Sequence, residues 1–215
     1  MTRVFQTRWP FIEEFVRGKS VLDVGPAELI GSVNRHKLAH SIHQRLTESA
    51  SSVVGLEQNP EQVPLLRELG FDIVEGDAEA FELERSFDVI VGGEIIEHLS
   101  NPGRFLDRVR QHLAPDGVLL LTTPNRFSAR IFLAALRRNH IPIYDKPIAK
   151  HVAYYDVNCL NDMLERHRFE SFDTAYYQWP GLPSGGRSVK VLNGLITRFR
   201  PSFSTGLMVA ARLSS

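Results

Sequence analysis

Apolar residues along this chain switch repeatedly between two spacings. Mostly apolar segments of four to six residues, at 20–25, 53–56, 71–75, 87–91 and 118–122, read as buried strands. Between them lie segments with helical apolar spacing: 11–17 ending at Gly18, 36–49, 59–69 ending at Gly70, and 101–113. Asn59-Pro60 and Asn101-Pro102 are helix starts, with asparagine as the cap and proline at the first helical position. Pro115-Asp116-Gly117 reads as a turn. A helix is expected over 127–138, another from Asp156 to about His167, and two late strands near 170–178 and 205–213. Strands alternating with helices at this spacing predict an α/β fold: a mostly parallel sheet with helices on both faces. Such sheets bind ligands at the carboxyl ends of their strands. Gly25, Glu57, Asp77, Glu94 and Thr123 each fall just after a strand, so they are expected along one edge.

Composition narrows the function. At 215 residues, 43% hydrophobic and 23% charged, the chain is long enough for one domain with a substantial core. Formal net charge is +0, so no overall field draws nucleic acid or an anionic membrane. Cys159 is the only cysteine, which excludes an internal disulfide and a multi-cysteine zinc site. No apolar run approaches a membrane span, and the N-terminus lacks a signal-peptide core; a cytoplasmic location is the expectation.

The most informative run is Val21-Leu22-Asp23-Val24-Gly25 together with Glu57 and Asp77. A strand ending at a glycine lets the backbone approach a ligand. An acidic residue after the next strand can accept from two ribose hydroxyls. The pattern points to a nucleoside cofactor.

Six short stretches, in order, carry a resemblance: Val21–Gly25, Val53–Glu57, Gly76-Asp77-Ala78, Phe87–Ile90, Glu97-His98-Leu99 and Leu113–Gly117. Together they resemble a class I S-adenosylmethionine-dependent methyltransferase over about residues 18–175. The resemblance implies a Rossmann-like sheet of seven strands with the last antiparallel, in a single methyltransferase domain spanning 1–215. Residues 125–150, rich in Arg, Pro and Ile, read as a lid or acceptor segment. It implies S-adenosylmethionine as cofactor, held by Asp23, Gly25, Pro26 and Ala27 at the methionine end. Glu57 would take the ribose with Gln58 beside it, and Asp77 the adenine amino group with Ala78 against the ring. Gly93 would lie beside the cofactor. The chain departs from the family at Ala27 and Leu29, where further glycines are usual, and the next glycine is Gly31.

The second constellation is Glu94-Ile95-Ile96-Glu97-His98. On one turn of helix after the fourth strand, residues 94, 97 and 98 share a face. Two carboxylates and an imidazole suit Mg²⁺, Mn²⁺, Co²⁺ or Zn²⁺. His151 is a candidate fourth ligand. Glu-x-x-Glu-His with a distant histidine also resembles the metal-dependent 2′-O-methyltransferases of small-RNA 3′ ends, and its first part resembles the ubiquinone-pathway O-methyltransferases. Carried over, Glu94, Glu97, His98 and His151 match the metal ligands. Many methyltransferases of this class carry Glu-His-Leu here without a metal, so two schemes stand. Either a divalent ion acidifies and fixes a hydroxyl nucleophile, or His98 or His151 acts as general base with Glu94 in contact with cofactor or acceptor. Both favour transfer to oxygen.

The expected acceptor is a hydroxyl on a small molecule or a glycan. The neutral charge argues against RNA as the acceptor. A nicotinamide oxidoreductase lacks its later glycines and a Tyr-x-x-x-Lys pair, and an inactive binding protein would not need so complete a set of acids. The oligomeric state is open between monomer and homodimer. Weaker signals are His36, His40 and His43 on one helix face; Thr122-Thr123-Pro124-Asn125 as a pocket frame; Tyr154, Tyr155, Tyr176, Tyr177 and Trp179 as stacking candidates; and Arg187, Lys190, Arg198 and Arg200 as candidate anion contacts.

Overall fold

A computed structural model describes residues 2–26, 41–138, 151–178 and 196–214. The strands are β1 (Arg3–Phe5), β2 (Ser20–Val24), β3 (Ser52–Glu57), β4 (Ile73–Glu75), β5 (Phe87–Gly93), β6 (Leu113–Pro124), β7 (Phe169–Tyr177) and β8 (Gly206–Leu213). They form one sheet in the order β1-β7-β8-β6-β5-β2-β3-β4. All seven expected strands are present. β8 runs antiparallel to both β6 and β7, and the other pairings are parallel. The Rossmann-like α/β expectation therefore holds. The added strand, β1, has three residues, too few to register as a pattern, and it pairs with β7 from Arg3↔Ala175 to Phe5↔Tyr177.

The helices are α1 (Trp9–Val16), α2 (Ile42–Ser49), α3 (Gln62–Glu68), α4 (Pro102–His112), α5 (Ala129–Arg138) and α6 (Val157–Arg166), with 3₁₀ turns at Ile96–His98 and Pro201–Phe203. The starts follow local chemistry. Asn101 accepts from the Arg104 amide and Asp156 from the Asn158 and Cys159 amides, as their sequence positions predict. Asn59 instead folds an Asx turn onto the Glu61 amide, and α3 begins at Gln62. Pro115-Asp116-Gly117 bulges out of the ladder: Phe87 pairs with Leu113 but Val89 pairs with Val118.

Side chains alternate across the sheet and build a core on each face. Leu22, Val24, Ile90, Leu119 and Leu121 pack with Phe105, Leu106 and Val109 of α4 and Leu160 and Leu164 of α6. Val21, Val53, Val89, Val91 and Leu120 pack with Phe11, Ile12 and Val16 of α1 and Leu46 of α2. Burial on both faces explains why the strands read as mostly apolar segments rather than as alternating ones. The chain leaves β2 for β3 on one side and returns to β5 on the other. That reversal opens the crevice in which such sheets hold ligands.

One packing detail reaches into the site. Gly206 lies opposite Tyr177 in the β7–β8 ladder, and a Cβ there would fall 2.0 Å from two atoms of the tyrosine ring. The ring is rigid, so Gly206→Ala must displace it. The expected cost is about 2–3 kcal/mol of stability, read as a lower urea midpoint, with the Tyr177 hydroxyl pulled from its partner described below.

Candidate active site

Gly25, Glu57 and Asp77 lie at the ends of neighbouring strands or just after them. Gly25 has φ +80°, a left-handed conformation open to glycine, and its amide donates to the Leu56 carbonyl at 2.9 Å. Asp23 is buried two residues earlier. Glu57 ends β3, 8% exposed, and its Oε1 accepts from the Asn59 amide at 2.9 Å. Gln58 is exposed beside it. The Gly76 amide donates to the Glu57 carbonyl at 3.0 Å, which sets the next loop against this corner. There Asp77 is exposed and accepts from the Glu79 amide, while Ala78 is buried. Pro26 is described at the start of the following loop, whereas Ala27, Leu29 and Gly31 lie outside the described residues.

A second cluster stands at the ends of β5 and β6. Glu97 is fully buried. Its Oε2 accepts from the Thr123 hydroxyl at 3.0 Å, and its Oε1 is buried with no hydrogen-bond partner among the described residues. Its main-chain carbonyl accepts from the Val152 and Ala153 amides at 2.8 and 3.3 Å. Those two bonds deliver His151, 53 positions later in the chain than His98 by numbering, to the same place. The His98 and His151 rings meet edge-on at 4.6 Å. Glu97, His98 and His151 each offer a ligand atom within 4.8 Å of the others. Burial, then repulsion from the Glu94 carboxylate, pushes the Glu97 carboxyl well above the usual range. Burial, then the neighbouring His98, pushes His151 down to about 4, so the ring is neutral at pH 7 with a lone pair for a ligand or a proton.

Glu94 does not join that group. It has φ +55°, strained for a non-glycine residue. It precedes the 3₁₀ turn rather than lying on it, so the face shared by 94, 97 and 98 that a helix would give does not form. Its Oε1 accepts from the Thr122 hydroxyl at 3.1 Å and the Tyr177 hydroxyl at 2.8 Å. Burial, then the Glu94 charge, holds the Tyr177 phenol well above its ordinary value, so it stays a donor. Arg8 stands over the same corner: a Cβ on Gly93 would lie 3.5 Å from its Nη1, and its charge acts on both Glu97 and Tyr177. The motif reading missed Arg8, Thr122, Thr123 and Tyr177 as supports of these acids. In the sequence Thr122 and Thr123, near the end of β6, read as a pocket frame and Tyr177 as a stacking candidate, but no local pattern ties them to these acids; Arg8, before α1, carries no signal.

The remaining candidates divide. Asn125 ties the end of β6 to 202–205, donating to the Ser202 and Ser204 carbonyls. Tyr155 and Tyr176 are buried, and Arg198 and Arg200 are exposed. His43 is buried against Asp23 rather than facing a metal. His36, His40, Trp179, Arg187, Lys190 and residues 139–150 of the expected lid lie outside the described residues.

The donor set fits a divalent cation. It has one carboxylate and two imidazoles, and the unpartnered Glu97 Oε1 is a buried acceptor that a cation would satisfy. Tyr154 orients the set, with its hydroxyl 2.8 Å from His151 Nδ1, which leaves Nε2 for the site. Tyr154→Phe is expected to cost about tenfold in turnover or metal affinity with little change in melting temperature.

The sheet reversal, the positive-φ glycine and the acid after β3 define a nucleoside-binding α/β domain. The model of the methyltransferase domain family matches residues 3–171, and the chain belongs to that family. The mitochondrial ubiquinone biosynthesis O-methyltransferase of Schizosaccharomyces pombe is 28% identical over 152 residues, covering 70% of this chain and 52% of that protein. The chain spans about half the length of the curated relatives it matches. An S-adenosylmethionine-dependent methyltransferase from Archaeoglobus fulgidus shares the fold with TM-score 0.62 and 16% identity, covering 95% of this chain and 90% of that one. The N-methyltransferase NodS from Bradyrhizobium japonicum, solved with S-adenosyl-L-homocysteine, shares it with TM-score 0.58 and 16% identity, covering 93% and 80%. Among the described residues, no helix is long and apolar enough to cross a membrane.

Proposed function

We propose that this protein transfers the methyl group of S-adenosylmethionine to a hydroxyl of a small molecule or saccharide, with a divalent cation at Glu97, His98 and His151. The observation that carries the reading is that these three side chains converge at the same sheet edge as Gly25 and Glu57. The ubiquinone O-methyltransferase relatives and the bound S-adenosylhomocysteine of a fold neighbour support the acceptor type and the cofactor.

The cofactor supplies an electrophilic methyl, and the tasks left to this chain are orientation and proton handling. Asp23, Gly25, Pro26, Ala27 and Gly93 are assigned to its amino-acid end, with Arg8 as a cation for the carboxylate. Glu57 and Gln58 are assigned to the ribose, and Asp77 and Ala78 to the adenine. Transfer would form an O–CH₃ bond as the S–CH₃ bond breaks, with S-adenosylhomocysteine leaving. With the rings of His98 and His151 on the cation the hydroxyl proton would leave to water, and only at a site without the cation would one of those imidazoles take it as general base. Glu94, held by the Thr122 and Tyr177 hydroxyls, is assigned to contact with cofactor or acceptor. A bound cation would lower the hydroxyl pKa and fix its oxygen.

The test is a calorimetric titration of S-adenosylmethionine into chelator-treated protein, followed by a methyl-transfer screen over hydroxylated acceptors with and without Mg²⁺ or Mn²⁺. Cofactor binding without metal and transfer with it are expected. No binding under any condition would overturn the reading. Transfer to an RNA 3′ end with none to small hydroxyls would replace the acceptor.

A further inference from the structure

Apart from the acid–histidine cluster, the chain buries a second polar pair. His43 Nδ1 lies 2.8 Å from Asp23 Oδ2, with the histidine 1% and the aspartate 4% exposed. Asp23 is on β2, two residues before Gly25. His43 is the second residue of α2, whose start is fixed by Ser41 accepting from the Gln44 amide at 3.1 Å. The imidazole is wedged in apolar surroundings. Its ring meets Phe71 edge-on at 4.7 Å, and its Cε1 underlies Gly55, where a Cβ would lie 3.1 Å from it and 2.9 Å from Pro26 Cγ. Its other nitrogen, Nε2, is buried with no hydrogen-bond partner among the described residues.

For stability alone this is a poor arrangement. Among the described residues, one ring nitrogen is satisfied and the other is desolvated without compensation. An apolar pair of the same volume would serve as well or better. What the pair does have is position. It joins the end of β2 to the first turn of α2, the two points between which the chain runs from Pro26 to Ser41. Gly55, left bare beneath both His43 and Pro26, keeps these two anchors in contact with β3.

We propose that His43 is a positioning residue for the cofactor. Its Nδ1–H holds the Asp23 carboxylate and so fixes the end of β2 and the start of α2 in the geometry that receives the amino-acid end of S-adenosylmethionine. The inference rests on the methyltransferase reading above. Without the imidazole, the buried Asp23 loses the side-chain donor that the described residues give its Oδ2 and relaxes toward water, taking the β2 end with it. Cofactor binding must then restore the geometry, so affinity falls while the step at saturating cofactor is spared.

The experiment compares wild type, His43→Asn, His43→Gln, His43→Leu and Asp23→Asn by calorimetric titration of S-adenosylhomocysteine and by steady-state methyl transfer. Asparagine places its amide donor near the site of Nδ1, and glutamine near Nε2. His43→Leu and His43→Gln are expected to raise the Kd for S-adenosylhomocysteine and the KM for S-adenosylmethionine about tenfold, with kcat within about twofold. His43→Asn is expected to stay within about threefold of wild type, and the losses from His43→Leu and Asp23→Asn should not add in the double variant. If His43→Leu does not fold, the asparagine–glutamine contrast decides. Equal affinity for those two, whether at the wild-type or a weakened level, would overturn the proposal and leave His43 as core filling. Failure of the wild type itself to bind S-adenosylhomocysteine would instead remove the reading on which it rests.

Discussion

His151→Ala is expected to lower kcat at least about 100-fold, the range for loss of a positioned base or a metal donor, while S-adenosylhomocysteine affinity changes less than about twofold. The separation follows from how His151 is held. The main-chain bonds from Val152 and Ala153 to the Glu97 carbonyl do not involve the imidazole. The variant therefore keeps the 151–155 segment in place and removes only the ring that meets His98. Loss of that ring also leaves two donors in place of three, so Mn²⁺ titrated into the variant should bind at least about tenfold more weakly. Turnover in the presence of chelator distinguishes the two chemical schemes. Its loss assigns the work to the cation; full activity in chelator, with His151→Ala still inactive, assigns it to the imidazole as base. Full activity of the variant would remove His151 from the site.

Glu57→Ala should raise the Kd for S-adenosylhomocysteine about 30- to 100-fold, with kcat at saturating cofactor little changed. Glu57 is nearly buried at the end of β3, between Gly25 and Gly76, and one oxygen already accepts from the Asn59 amide. A ribose there would be held by charge-assisted hydrogen bonds worth about 1.5–3 kcal/mol each, and each 1.4 kcal/mol is tenfold in Kd. Part of the measured loss will come from the freed Asn59 amide. Glu57→Gln separates the contributions, because it keeps an acceptor for Asn59 but loses the charge. A fall in affinity for Ala alone would assign the effect to the loop, and unchanged affinity in both variants would sink the ribose assignment.

Much of this architecture was readable from the chain. Leu22, Ile90 and Leu120 sit in mostly apolar segments because the parallel strands are covered on both faces, and Asn101 and Asp156 cap the helices their positions predict. The acids after β3 and β4 fall where strand ends put them. β1 escaped because three residues carry no period. The reading of residues 94, 97 and 98 as one helical face assumed 3.6 residues per turn from residue 94 onward. The positive φ at Glu94 and the 3₁₀ geometry of 96–98 broke that assumption and sent Glu94 to Thr122 and Tyr177. Likewise, the helical spacing of His36, His40 and His43 gave no hint that His43 would turn inward to a carboxylate twenty residues earlier.

What the sequence determined by itself was everything set by local period and by chain direction. That covers the alternation of strand and helix, the carboxyl edge where the ligand groups gather, and the residue types suited to a nucleoside and a cation. Tertiary structure alone decided which of those groups touch. Contacts between Glu97 and His151, Glu94 and Tyr177, or Asp23 and His43 depend on strand register and on hydrogen bonds between segments far apart in the chain. No local pattern encodes a distance across a sheet.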